Sequence, residues 1–577
     1  MMKRTWIALL LIALILLPGC TTQEGDVDQL PVYLTLAKEQ HTEYEVINHL
    51  MNDTYGNELA DDLSFKTGAH FTISNTETEG KNKIHLGTAE QLKGLVDCSP
   101  YVVYTAYEIV FANDDIFLIM PSVDVAETVC KAFVQMVVKT GEGTFAIDKA
   151  QAGVRNTADI SELVPAFETK SGKQEKLHDS GNGNNLIVWK KMGNAATAEI
   201  NAYRQMLQGI GYELFQESQI GENQFVTYVK GDTMVYCNYF AVMDEFRLVY
   251  GPRTYTAADK PVTDYEKVVT PSVSVIPTTD SCLSMVFQLA DGSFVIIDGG
   301  WGTSTYKSVT LNSGTSSEYS FSYYRDAKKD MQVLFDFLKS KTPGGGKPQV
   351  TWMITHADPD HVTLPTRFIK DYRDQFDLNM ICYNFPNMLN IGLTYSSEPE
   401  IFESYANGFV NNTLRYFPEA KHFVYHTGQK LYLPGCEIEF LFTASEDYWP
   451  NLMTSCNRTS GSWRVTIEGK TVLITGDISE GLNSQMARVF GSYLKSDVLQ
   501  VVHHGSNGAT LGFYKQIQPE VCIWPCLEEY VKYDLRHTGK KSGWEFNKYL
   551  WDTAKVHYAA SKTTTLLLPS LEEERNQ

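Results

Sequence analysis

What the chain has little of narrows its chemistry first. Positive charge is scarce: 49 lysines and arginines stand against 69 aspartates and glutamates, a formal charge of −20 over 577 residues. So acidic a protein has no general nucleic-acid-binding surface. A small or polymer-linked anionic substrate, held by metal ions or a few local cations, stays open. Long apolar runs are missing after the first twenty residues, so no later segment reads as a membrane span. Cysteine is sparse and irregular. Nine of the ten follow Cys20, an odd number at scattered spacings, and no disulfide framework is expected. Cys522 and Cys526, in the apolar run VCIWPC, read as buried thiols. No internal repeat is visible. With 43% hydrophobic and 12% aromatic residues, packed cores are expected and disorder, collagen and coiled coil are excluded.

The N-terminus carries an address. Lys3 and Arg4 precede an apolar run over residues 6–17, which ends in Leu17-Pro18-Gly19-Cys20. The run is too short to span a bilayer comfortably but suits a signal peptide. A small residue before Cys after such a run resembles the lipobox of bacterial lipoproteins, which implies that Cys20 is lipidated and that the protein faces the extracellular side of the cell membrane. An ordinary cleaved signal or an uncleaved anchor is the alternative. Membrane contact through the lipid anchor only is the expectation.

The chain then divides into an N-terminal α/β accessory domain over 21–167, a polar, Gly-rich linker over 168–185, a second small α/β domain over 186–258 and a larger domain over 268–577. In the first, strands are expected at Tyr107–Phe111 and Ile116–Met120 around an Asn113-Asp114-Asp115 turn, and helical spacing runs from Val123 to Val138. In the second, a helix over Ala195–Ile210 precedes strands at Gln224–Val229, Thr233–Tyr239 and Glu245–Tyr250. Neither carries a chemical motif.

The chemistry lies in the larger domain. Three apolar strands there end in candidate ligands. Gln349-Val-Thr-Trp-Met-Ile-Thr runs into His356-Ala-Asp358-Pro-Asp360-His361, four ligand-type side chains within six residues. Thr471-Val-Leu-Ile-Thr runs into Gly476-Asp477. Asp497-Val-Leu-Gln-Val-Val runs into His503-His504-Gly505-Ser506. Imidazole and carboxylate both suit divalent cations, and ligands from separate strand ends give the rigid geometry of a two-metal centre. A fourth strand, Phe294–Ile297, ends in Asp298-Gly299-Gly300.

Taken in order, THADPDH, LITGD and VVHHGS resemble the metallo-β-lactamase superfamily, over roughly residues 268–570. The loop reads H-x-D-x-D-H where the superfamily usually has H-x-H-x-D-H. That variant is similar to the hydrolase domain of competence DNA-uptake channels and to cell-surface choline-phosphate esterases. The resemblance implies an α/β fold, a metallo-β-lactamase-like αββα sandwich, holding two divalent metal ions, zinc or manganese. It implies His356 and Asp358 on one metal, Asp360 and His361 on the other, and Asp477 bridging both. His504 is favoured over His503 as the last ligand. Asp360 and His503 are the catalytic candidates, and Asp298 is an orienting carboxylate beneath the site.

Two departures matter. The His common about 20 residues before Gly-Asp is absent, and Asn457 is the candidate to face the substrate there. The loop continues Val362-Thr363-Leu364 where Gly-Gly is frequent. His537, in YDLRHTGKKS, is a second substrate-binding candidate, with Arg536, Lys540 and Lys541 adding charge. His422 and His426 read as structural, and Trp301–Tyr324 as an active-site wall or a flexible loop. Two cations lower the pKa of a shared water from 15.7 toward roughly 7, making hydroxide available at neutral pH. The expected activity is a cell-surface phosphodiesterase. Alternatives are an ester, lactone or β-lactam hydrolase of the same fold, or a non-catalytic binding lipoprotein.

Overall fold

The computed structural model describes residues 33–574, except 51–52, 75–79, 97–105, 121–122, 150–152, 157–163, 171, 182–183, 232, 254–259, 313–317, 387–398, 444–454, 479, 507–508 and 534–543. The chain splits into two compact units, 1–157 and 158–577. No described helix is long and apolar enough to cross a membrane.

The first unit holds a six-stranded and a three-stranded sheet. The hairpin expected near residue 113 is present: Ala106–Ala112 pairs with Asp115–Met120. Asn113 and Asp114 both take positive φ, as the tight primed turn requires. The expected helix covers Ala126–Met136. Helix Thr54–Thr67 buries Leu59 and Leu63.

The second unit begins with an antiparallel six-stranded sheet. Here the expected linker is corrected: Lys173–Gly181 is a strand paired with Asn184–Lys190. A strand at Glu213–Ile220 was also not anticipated. Both are edges of the sheet. An edge strand is hydrogen-bonded on one flank only and tolerates polar residues that would disrupt a central strand, so composition hid both. Helix Ala196–Gly209 packs Ile200, Tyr203 and Leu207 against Trp189, Phe246 and Leu248. The sheet is fused to the larger domain, whose core takes in Ile220, Phe225 and Phe240. Gln216 pairs with both backbone groups of Lys430, mimicking a further strand on that edge.

The larger domain is an αββα sandwich. One sheet has eight strands and the other seven. In the first, Phe294–Asp298, Gln349–Met353, Asp377–Tyr383 and Lys421–Val424 are parallel neighbours. In the second, Lys470–Ile474, Val498–Gln500, Val521–Trp524 and Val556–Ala559 are parallel neighbours. The central strands among these, Phe294–Asp298, Val498–Gln500 and Val521–Trp524, are buried along their whole length and mainly apolar because both faces are covered. Val295, Ile297, Val472, Ile474 and Val498 point between the sheets. Phe294, Ile296, Leu473 and Leu499 point outward to the helices. Helix Ala327–Lys341 is capped by Asp326, whose carboxylate accepts from Lys328 N and Lys329 N. Helix Pro359–Asp371 starts with proline in its first turn, straight out of the His356–His361 loop. It lies hard against the end of the Phe294–Asp298 strand. A Cβ on Gly299 would come within 2.7 Å of Pro365, and one on Gly302 within 2.4 Å of the Thr363 carbonyl oxygen. Only glycine allows that approach, which holds the helix start beside Asp298.

Candidate metal centre

In each sheet the site grows from the carboxyl ends of the parallel strands, where α/β sheets open to ligands. In the first sheet, Asp298 ends its strand with φ +53° and is fully buried. Its carboxylate accepts from Thr355 N (2.7 Å), Thr355 Oγ1 (2.6 Å) and His361 Nδ1 (2.7 Å). Thr355 Oγ1, having given its proton to Asp298, accepts from His356 Nδ1 at 2.9 Å. One carboxylate therefore fixes the tautomer of both imidazoles and turns each Nε2 toward the site.

The second sheet uses neutral groups. Beyond strand Lys470–Ile474, Gln500 Oε1 accepts from Thr475 N (2.8 Å), Thr475 Oγ1 (2.9 Å) and Gly476 N (2.8 Å). Asp477 N donates to Ser460 Oγ at 3.0 Å. Beyond strand Val498–Gln500, His503, His504 and Gly505 take φ of +49°, +53° and +84° in succession. That curl is held where His503 N donates to the Gly476 carbonyl (3.1 Å) and Asn547 Nδ2 to the Gly505 carbonyl (2.7 Å). His504 Nδ1 donates to the Pro525 carbonyl at 2.7 Å, again turning Nε2 inward.

The two halves meet at Asp477. Its Oδ2 lies 3.3 Å from His361 Nε2, 3.3 Å from His504 Nε2 and 3.7 Å from His503 Nε2. Asp360 Oδ2 lies 3.4 Å from His504 Nε2 and 3.9 Å from His361 Nε2. His356 Nε2, His361 Nε2, His504 Nε2 and Asp477 Oδ1 are buried and make no hydrogen bond. Two triplets have their ligand atoms within 4.8 Å of one another: His356, His361, Asp477, and Asp360, His361, His504. Inward-facing lone pairs from imidazole and carboxylate are the donor set of zinc- or manganese-type cations, and these residues fit such ions. Electrostatics divide the set: against burial, Asp477 and Asp360 raise His361 well above the usual imidazole range and His504 up to about 10, so these two carry protons that a bound cation would displace. Burial pushes His356 down to about 3, leaving it neutral with its lone pair open. Against burial, His361 and His504 hold Asp360 down to about 2. Against burial, His504, His361 and His503 hold Asp477 well below the usual carboxylate range. Burial and the neighbouring Asp360 push Asp358 up to about 7.

Of the residues singled out by sequence, His356, Asp360, His361, Asp477 and His504 come together. Asp358 stands slightly apart, partly buried, with Oδ2 4.0 Å from His356 Nε2 and outside both triplets. His503 is held differently from His504: its Nε2 is 3.1 Å from Asn457 Nδ2, and its side chain is 29% exposed. Asn457 thus reaches the site through His503, and its Oδ1 is buried without a partner. His537 and Cys20 lie outside the described residues. The His426 ring lies tilted against Tyr236, 4.1 Å between centres, and Cys522 and Cys526 are buried and outside any disulfide. Sequence reading missed Thr355, Gln500, Ser460 and Asn547. For Gln500 the signal existed: it is the one polar residue inside the apolar run Val498–Val502, and a buried amide there must serve neighbouring backbone groups.

Two mixed sheets face to face, helices outside, and imidazole and carboxylate ligands gathered at the parallel strand ends decide the architecture. The fold is of the metallo-β-lactamase type. No family model matches the chain. Over 261 residues it is 25% identical to ComE operon protein 3 of Bacillus subtilis (strain 168), a match covering 42% of this chain and 30% of that protein. The chain thus spans under a third of that relative. Among solved structures it overlaps CmlA, a diiron β-hydroxylase from Streptomyces venezuelae, at 11% identity and a TM-score of 0.28, covering 55% of each chain. It also overlaps a metallo-β-lactamase with the HARLDQ motif from Cronobacter sakazakii, at 13% identity and a TM-score of 0.24, covering 51% of this chain and 92% of that one. Overlaps this loose carry no chemistry to the present site.

Proposed function

We propose that the chain is a lipid-anchored, cell-surface phosphodiesterase that works with two divalent metal ions, zinc or manganese. The observation that carries the reading is the convergence of His356, His361 and His504 Nε2 on the Asp477 carboxylate, the three nitrogens and Asp477 Oδ1 being buried and without hydrogen bonds. Asp358 and Asp360 complete the ligand set, which is more anionic than an all-histidine one. Bound ions would lower the pKa of a water and neutralise charge on a phosphoryl oxygen. The chain's own residues supply the rest. Asp477, within reach of His361, His503 and His504, ties the two sheets into one site. Asp360 faces His504 and orients it. His503, anchored by Asn457 and partly open to solvent, is the group placed to meet substrate and move a proton. His537 is proposed to add a contact to the phosphate. An anionic, small or polymer-linked phosphodiester fits a protein whose net charge of −20 repels polyanions at large but whose cations would concentrate at one point.

Metal content of the purified protein, with hydrolysis of bis(p-nitrophenyl) phosphate before chelation, after it, and after adding back zinc or manganese, tests the reading. Bound metal and chelator-sensitive turnover are expected. Cleavage of p-nitrophenyl acetate or nitrocefin without cleavage of the phosphodiester would move the substrate class. Protein that binds no metal would end the proposal. For the anchor, Cys20→Ala should abolish lipid labelling and membrane partition; unchanged labelling refutes it.

A further inference from the structure

Between Trp301 and Tyr324 the sequence offered either an active-site wall or a loose loop. It is a β-hairpin, Thr305–Asn312 against Glu318–Arg325, in continuous antiparallel register. A lone two-stranded ribbon is marginal in water, so the means by which this one is held are informative. Its inner face is anchored. Arg325 is buried, with its guanidinium 3.8 Å from the centre of the Trp301 ring, its Nε donating to the Thr303 carbonyl and NH1 3.5 Å from Asp280. Tyr323 OH donates to the Asp280 carboxylate, and Phe321 meets Tyr530 edge-on. The anchor is chained to the metal centre. Asp280 accepts from Ser281 N, Ser281 Oγ accepts from Leu527 N, and two residues earlier the Pro525 carbonyl holds His504.

The outer face is a different surface. From its base it presents three uncharged pairs, Tyr306 against Tyr324, Ser308 against Ser322 and Thr310 against Ser320; the next pair in that register, at the turn end, is Asn312 and Glu318. The six residues of the three pairs are exposed. Ser308 and Ser322 hydroxyls are 2.8 Å apart, Thr310 and Ser320 hydroxyls 2.9 Å apart. The tyrosine rings stand 4.8 Å apart, and Tyr306 is 82% exposed. On a chain of net charge −20 this strip of six residues carries no charge. From Tyr306 to Thr310 it spans about 14 Å at roughly 3.4 Å per residue. Large rigid rings left in water beside a row of small hydroxyls form an amphipathic contact surface. A partner matching it has flat apolar faces for the rings, hydroxyls for the serines and threonine, and no need of charge. A chain of pyranose rings has that chemistry: axial C–H bonds on one face, hydroxyls around the rim.

We infer that the outer face of this hairpin is a glycan-binding platform that presents a polysaccharide-linked substrate to the metal centre. The inference rests on the proposed phosphodiesterase reading for what happens at the metals, but not for the binding itself. The test is affinity electrophoresis of the full chain through native gels containing hydroxyethyl cellulose, glycol chitin or mannan, beside bis(p-nitrophenyl) phosphate turnover. Retardation by at least one polysaccharide is expected, at least tenfold weaker for Tyr306→Ala/Tyr324→Ala and severalfold weaker for Ser308→Ala/Ser322→Ala. Reporter turnover should be unchanged in both, because neither pair touches the metal ligands. No retardation in any gel, or equal retardation of the tyrosine variant, overturns the platform. So does concentration-dependent dimerisation that the tyrosine variant abolishes, which would assign the face to a second copy of the chain. Retardation lost in the variant, with no reporter hydrolysis by either protein, upholds the platform and sinks the phosphodiesterase reading instead.

Discussion

The two sheets of the sandwich bring ligands to the same point by different physical means. The first relies on one buried charge. Asp298 gathers Thr355 and His361, and through Thr355 it orients His356 as well. The second relies on amides and backbone shape. Gln500 satisfies the turn before Asp477, and a carbonyl and three left-handed residues aim His504. A buried carboxylate is strong but unforgiving: its burial is compensated only while all its donors are in place. An amide network costs less to bury and yields more gradually when one contact is lost. The centre therefore has a stiff half and a tolerant half, joined at Asp477.

The sharpest way to break this comparison is to remove the joint. Asp477→Ala should lose most bound metal and bring phosphodiester turnover to background, whichever half is stiffer. Intact activity would refute a shared site. Next, His504→Ala should halve the metal content measured by elemental analysis, whereas His503→Ala should keep both ions and lower turnover only. The opposite pattern would exchange the two histidines' roles. Asp298→Asn then probes the stiff half. An amide cannot accept from all three donors, so metal affinity, measured against a chromophoric chelator, should fall about 10–100-fold. Stability should drop by about 1–3 kcal/mol. Gln500→Leu, the counterpart in the tolerant half, leaves Thr475 N and Gly476 N buried and unpaired. With two groups unpaired it should cost about 2–6 kcal/mol in thermal unfolding, at about 1–3 kcal/mol per group. Its effect on metal affinity should be the smaller of the two. A larger loss of affinity for Gln500→Leu than for Asp298→Asn would invert the assignment of stiff and tolerant halves.

The parts of the fold that sequence showed and those it hid follow the same logic of burial. The central strands were legible because both faces are covered: Phe294–Ile297, Thr471–Ile474 and Val498–Val502 are almost pure apolar runs. In the sheet that opens the second unit, Lys173–Gly181 and Glu213–Ile220 were missed as edges, where polar residues cost little; the internal strand Asn184–Lys190, although largely buried, was missed as well. The hairpin from Thr305 to Arg325 was ambiguous for a related reason. Its outer face lies open to water, so its Ser and Thr carry no burial pattern, and only pairing across the ribbon gives them order.

By itself the sequence determined the ligand types and the strand ends they follow, because a carboxylate or imidazole at the close of an apolar strand must emerge at a sheet edge. It also determined that Asp298 belongs with them. What only the tertiary structure decided is which nitrogen of each histidine faces the site, that Asp477 lies within 3.3 Å of both His361 and His504, and that His503 turns to Asn457 while His504 turns to Pro525. Those facts depend on contacts between residues far apart in the chain. Adjacent histidines have no local feature that distinguishes their partners, and only the packing of one sheet on the other supplies it.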